Sequence, residues 1–333
     1  MTPRLEIWGI DGIGEVRPGD DIAALVLAAG ADIRDGDVLV VTSKIVSKAQ
    51  GRLVAGTRAD HLDAETARVV ARRDDTAIVE THHGFVMAAA GIDASNVPDG
   101  HVALLPADPD AAAATIRTSM AAAGIDVAVI ISDTMGRAWR NGVIDTAIGA
   151  AGLDVVWDLR GQRDPAGHLL EATVVAIADE LASAADLAKG KLSNSPVAVI
   201  RGFPFTSNDS AAGARPLVRP AADDMFRLGT HEAMQQVVAD AAPVATPAGD
   251  IAAIDRDIVL RAVASLGPVG VVLHVTADGR AVSAEGEPLE AGYTLGRLAA
   301  ALAAQGLRAT VPTPTETGAL IRVLNPSDAD LVP

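Results

Sequence analysis

Residues Ile130 to Leu153 read IISDTMGRAWRNGVIDTAIGAAGL. They are entered through Val127 and Val129, so that a β-branched run continues to Ile131, the pattern of a buried strand. The run stops at Ser132 and Asp133, which predicts a carboxylate where a strand gives way to a loop. Arg137 and Arg140 are expected within one turn of it, split by Gly136 and Trp139 and followed by Asn141-Gly142. Asp145, Ala147, Ile148, Gly149 and Ala150 then lead into small-residue packing. One carboxylate, two guanidiniums and glycines at a strand end suit a metal–phosphate complex. Asp133 can bind a hard cation, and Arg137 and Arg140 can fork onto phosphate or carboxylate oxygens as catalytic charges. The same residues also fit a surface turn closed by an Asp–Arg ion pair, and chemistry alone leaves both open.

The chain of 333 residues has room for two domains, and its 49% hydrophobic content supports a sizeable core. Aromatic residues make up 2%, too few for base-stacking platforms, and a formal charge of −16 argues against nucleic acid or an anionic membrane as partner. An anionic substrate would therefore need the scarce basic residues gathered where it binds. The absence of cysteine removes disulfides, thiolate zinc sites and thiol nucleophiles. No apolar stretch of about 18 residues appears and the N-terminus lacks a signal-peptide pattern, so a soluble, cytoplasmic protein is expected.

From the N-terminus, a strand at Leu5 to Ile10 runs into Gly12-Ile13-Gly14-Glu15, whose glycines permit close backbone approach to a ligand or simply a tight turn. A strand at Val38 to Thr42 ends in Thr42-Ser43-Lys44, with Ser47-Lys48 following. Hydroxyls and ammonium groups at a strand-to-helix corner, together with free helix N–H donors, favour an anion. Arg58 to Arg73 reads as an exposed helix, and Met87 to Val97 as a loop over a pocket or a turn. Thr173 to Leu187 reads as a helix whose adjacent Asp179 and Glu180 could ligate metal or face solvent. Asp223 to Ala239 reads as the closing helix of a first domain, 1–244. Residues 245–250 read as a linker, and 251–333 as a small α/β C-terminal domain without concentrated catalytic chemistry.

Taken together, the colinear motifs GIGE, DGDVLVVTSKIVSK, HGFVMAAAGIDASNV, LLPADPDA, ISDTMGRAWRNG, DTAIGAAGL, ATVVAIADELASAADLAKGKL and PVAVIRGF resemble the coenzyme F420-0:L-glutamate ligase (F420 γ-glutamyl ligase) family over about residues 5–244. The resemblance implies a mixed α/β (α+β) fold peculiar to that family. It also implies a GTP-dependent carboxylate–amine ligase using Mg²⁺ or Mn²⁺ and working as a homodimer on L-glutamate and coenzyme F420-0 through an acyl phosphate. By similarity Gly12, Ile13, Gly14, Glu15, Ser43, Lys44 and Lys48 would hold the nucleotide, although Gly14 stands where the family often has proline. Asp133 would ligate the metal, with Thr173, Asp179 and Glu180 the expected source of further ligands. Some relatives carry a flavin-binding nitroreductase-like domain after the ligase. About 85 residues follow the linker here, too few for that domain, so no flavin is expected. Two other readings remain compatible with these residues: a related amide-bond ligase acting on another phosphorylated acceptor, and a non-catalytic nucleotide-binding protein.

Overall fold

The computed structural model describes residues 4–208, 211–230, 232–233, 236, 254–267, 269–310 and 312–324. It divides into two compact units, Met1–Arg227 and Leu228–Pro333. The expected linker 245–250 lies outside the described residues. In chain order the first unit contains β1 (Glu6–Gly9), α1 (Ile22–Ala28), β2 (Val38–Thr42), α2 (Ser43–Ala49), β3 (Leu53–Ala55), α3 (Arg58–Leu62), β4 (Thr66–Arg73), β5 (Thr76–Thr81), β6 (Val86–Ala88), β7 (His101–Ala103), α4 (Pro109–Ala122), β8 (Ala128–Arg137), β9 (Arg140–Ala151), β10 (Trp157–Asp158), β11 (Val174–Val175), α5 (Ile177–Lys189) and β12 (Val197–Arg201).

The core sheet has the order β1-β12-β2-β8-β9. Only β2 and β8 run parallel, with Val38 opposite Ala128 and Thr42 opposite Ser132; the other neighbours are antiparallel. The central strands are apolar on both faces because helices cover both. Val38, Val40, Ala128, Ile130, Ala198 and Ile200 pack under Ile177, Leu181 and Ala185 of α5. On the other face, Leu39, Val41, Val129 and Ile131 meet α1, α2 and α4 through Val26, Val46, Ile116 and Met120. Period-two alternation thus assigns each side chain of β8 to one layer or the other. Asp21 caps α1, and Asp108 caps α4 ahead of Pro109, so each helix starts where its orphan N–H groups find a carboxylate. The start of α4 lies tight against β9: a Cβ on Gly149 would collide with the Pro109 carbonyl oxygen, a contact only glycine permits.

The second unit contains α6 (Arg256–Ser265), β13 (Val272–Val275), β14 (Ala281–Glu285), α7 (Pro288–Ala303), β15 (Arg308–Ala309), β16 (Thr313–Thr315) and β17 (Gly318–Leu324). Its antiparallel sheet, β13-β14-β17-β15 with β16 also on β17, buries Val282, Ile321 and Val323 beneath Val259 of α6 and Leu295, Leu298 and Leu302 of α7.

Four expectations are corrected. The strand carrying Asp133 does not end there: β8 runs on to Arg137, reverses at Ala138-Trp139, and β9 returns from Arg140, so the stretch is a long hairpin. Arg58 to Arg73 is one short helix and then a strand, because the β-branched and alternating residues of Thr66–Arg73 pair with β5. The helix expected from Thr173 starts at Ile177, after Val174–Val175 has paired with β10. Within Asp223 to Ala239, the described residues up to Gly229 form a 3₁₀ turn and bends, and helical residues first appear at Thr230.

Candidate functional site

The parallel pairing of β2 with β8 ends at Thr42 and Ser132, and the residue after each carries the chemistry. Ser43 opens α2 after Thr42, Asp133 follows Ser132, and the Ser43 Oγ donates to Asp133 Oδ1 at 2.7 Å. A helix begins at the same corner, so its free N–H groups and its dipole face the space beyond the sheet. Desolvation by burial pushes the Asp133 carboxyl up to about 6. The Ser43 hydroxyl and the Thr134 backbone N–H oppose the rise, and the nearby Asp145 and Asp93 charges add to it.

Above this corner is a cleft of about 530 Å³ whose two walls come from the two faces of the sheet. The α2-side wall holds Ile13, Gly14, Glu15, Lys44 and Lys48. Lys48, nearly buried, donates to Glu15 Oε1 at 2.5 Å, which ties the glycine loop to α2. Gly12 turns the chain into that loop at φ +82. The Lys44 ammonium lies 2.6 Å from Asp93 Oδ2 and donates to Ser95 Oγ at 2.8 Å and to the Ser95 carbonyl at 2.9 Å. Burial alone would raise the Asp93 carboxyl, but the Lys44 and Ser95 bonds hold it below the ordinary value.

The α5-side wall holds Thr134, Asp145, Asp186, Lys189, Lys191, Asn194 and Ser195. Here Asp145 is buried and fully engaged. Lys189 Nζ donates to its Oδ2 at 2.8 Å, Ser132 Oγ donates to the same oxygen at 2.9 Å, and Thr134 Oγ1 donates to Oδ1 at 2.9 Å. Burial works against its charge, but the Lys189 ammonium and the two hydroxyls outweigh that and hold the carboxyl below its ordinary value. Because β8 alternates, Ser132 and Thr134 face this network while Asp133 faces α2.

The structure therefore brings Ile13, Gly14, Glu15, Ser43, Lys44, Lys48 and Asp133 to one strand-end corner. Arg137 and Arg140 are not part of it. They pair with each other at the exposed tip of the hairpin, Arg137 four residues past Asp133 and so roughly 13 Å along the ribbon. Asp179 is committed to the sheet: its Oδ1 accepts from the Ala147 N–H at 2.9 Å, and burial raises its carboxyl. Thr173 and Glu180 are exposed. Among the described residues no three His, Cys, Asp or Glu side chains gather closely enough to hold a metal ion by themselves. Asp93, Ser95, Thr134, Lys189 and Lys191 were not singled out by sequence reasoning. The Met87 to Val97 segment did signal a loop over a pocket, and it delivers Asp93 and Ser95; nothing local marks Lys189 at the end of α5 or Lys191 just beyond it.

A model of the F420-0:Gamma-glutamyl ligase family matches residues 12–202. Coenzyme F420:L-glutamate ligase of Methanothermobacter thermautotrophicus is 41% identical over 249 residues, covering 67% of this chain and 99% of its own length. The enzymes of the same name from Methanopyrus kandleri and Haloarcula marismortui are each 39% identical, each covering 68% of this chain and 98% of their own. The matched span contains both walls of the cleft and the Ser43–Asp133 corner between them, and on that agreement the chain belongs to the F420-0:γ-glutamyl ligase family.

Proposed function

We propose that this chain joins L-glutamate to coenzyme F420-0 with conversion of GTP to GDP and phosphate, assisted by Mg²⁺ or Mn²⁺ and working as a homodimer. The observation that carries the reading is the strand-end corner, where the desolvated Asp133 carboxylate accepts from the first residue of α2, and the same helix lends Lys44 and Lys48 to the cleft wall. An amide cannot form directly from a carboxylate in water because its oxygen is a poor leaving group. The γ-phosphoryl group of GTP passes to the terminal carboxylate of the acceptor, giving an acyl phosphate and GDP. The glutamate amine then attacks the acyl carbon, the amide C–N bond forms, the C–O bond to phosphate breaks, and the amine proton is lost.

The chain's part in this is positioning and charge neutralisation. The glycine loop and Lys48 hold the nucleotide, and Lys44, fixed by Asp93 and Ser95, faces its phosphates. Asp133 fits a hard cation. Its carboxylate is opposed by two like charges, and the Thr146 hydroxyl, directly across the ladder, is buried without a hydrogen-bond partner among the described residues. Asp133 and Thr146 would hold the cation, both being oxygen donors of the kind Mg²⁺ prefers. A bound cation supplies charge neutralisation on the transferred phosphoryl group.

The test is phosphate release from GTP with Mg²⁺ or Mn²⁺ and L-glutamate, with and without coenzyme F420-0, and products weighed by mass spectrometry. Release that requires the acceptor, with a product heavier by one or more glutamyl units, is expected. GTP binding without turnover would replace this reading with a non-catalytic one.

A further inference from the structure

The α5-side wall of the cleft carries chemistry that nucleotide binding and the Asp133 corner do not use. Gly190 ends α5 at φ +60, and its N–H caps the Asp186 carbonyl at 2.8 Å. This reversal gives the two flanking lysines different fates. Lys189 is buried on Asp145, whereas Lys191 is exposed on the cleft wall. Lys44, Lys48 and Lys189 each already have a carboxylate partner. The contact of Lys191 is a neutral hydroxyl: Nζ donates to Thr134 Oγ1 at 2.5 Å. The Thr134 proton is committed to Asp145, so its lone pairs face the ammonium and fix it in place. One N–H is used and two remain for a ligand. Among the described ammonium groups of the cleft, Lys191 alone lacks a carboxylate, and it is anchored through Thr134 to the rigid Asp145–Lys189 network. Asp186, five residues earlier in the last turn of α5, lines the same wall.

A held ammonium and a carboxylate on one wall match the two charges of an α-amino acid. We propose that this wall is the amino-acid subsite, with Lys191 taking a carboxylate of L-glutamate and Asp186 its α-ammonium group. The inference rests on the ligase reading above and adds where the amino acid sits: across the cleft from the lysines that face the nucleotide.

The experiment compares wild type with Lys191→Met, Lys191→Arg and Asp186→Asn, measuring KM for L-glutamate, GTP and coenzyme F420-0 separately. L-Glutamate alone is also titrated calorimetrically into each protein. Lys191→Met and Asp186→Asn are expected to raise the glutamate KM about tenfold or more, the size of one lost charge-assisted hydrogen bond, with the other two constants within twofold. Lys191→Arg should keep most of the affinity. A rise confined to GTP would assign the wall to the nucleotide, a rise confined to coenzyme F420-0 would assign it to the acceptor, and unchanged constants would leave it without a ligand role; each overturns the proposal. If wild type forms no amide product, the ligase reading fails by itself. The calorimetry still decides the subsite then, since it requires L-glutamate to bind wild type and to bind Lys191→Met more weakly.

Discussion

At the residue scale the site turns on a carboxylate kept where its charge is unwelcome. With its carboxyl raised to about 6 against an ordinary 3.8, Asp133 binds a proton more tightly in the folded chain than in the unfolded one. The stability gained from that is complete below about 3.8 and is lost as pH rises through 6, so at pH 7 the ionised group is a burden of about 3 kcal/mol. Asp133→Asn should therefore raise the metal-free melting temperature at pH 7 and leave it little changed near pH 4. It should also lower the rate by about 10²-fold or more, the usual loss for an electrostatic catalytic group. Melting curves at the two pH values and turnover at saturating Mg²⁺ check both halves; a near-wild-type rate would remove Asp133 from the chemistry. Lys48 makes a different prediction. Its ammonium ties the glycine loop to α2, so Lys48→Ala should raise KM for GTP more than for L-glutamate, and equal effects would deny it a nucleotide-specific role.

At the scale of elements, the hairpin β8–β9 joins the two walls, since its alternate residues serve opposite faces of the sheet. The buried Lys189–Asp145 pair locks α5 to this hairpin at 2.8 Å. Lys189→Met leaves Asp145 buried without its cation and should destabilise the first unit by about 3–5 kcal/mol. Adding Asp145→Leu should recover much of that loss, and chemical denaturation of the single and double variants reads the difference; no recovery would mean that the pair acts through packing alone. The sequence showed where β8 begins but not where it ends. Gly136 and Asn141-Gly142 advertise turns, yet the ladder persists because Met135 pairs with Ile144 and Thr134 with Asp145, partners that only the fold brings together. The same limit explains Arg58–Arg73, where charge suggested a helix and pairing with β5 decided a strand. What was local in the site was legible: the glycine loop, Ser43, Lys44, Lys48 and Asp133. What depends on distant packing was not, namely Asp93 beneath Lys44, Lys189 and Lys191 at and beyond the end of α5, and the displacement of Arg137 and Arg140 to the hairpin tip.

At the scale of the whole molecule, each hydrophobic core takes its buried residues from one unit alone. The cores on the two faces of the first sheet draw every member from residues 10–200, while that of the second unit runs from Ile254 to Val323. All cleft residues and the whole of the family match, residues 12–202, belong to the first unit. Stability and catalysis should therefore respond independently to damage in the second core. Leu298 of α7 is fully buried there. Leu298→Ala removes three carbons from a packed site and should cost about 2–5 kcal/mol. Scanning calorimetry of the full chain is expected to resolve two transitions, with Leu298→Ala lowering one and leaving the other in place. Phosphate release from GTP, measured below the shifted transition, should stay within twofold of wild type. A single cooperative transition that moves as a whole would mean that the second core supports the first. A loss of turnover without a loss of folding would place the C-terminal unit in the catalytic cycle itself, a role that its residues do not suggest.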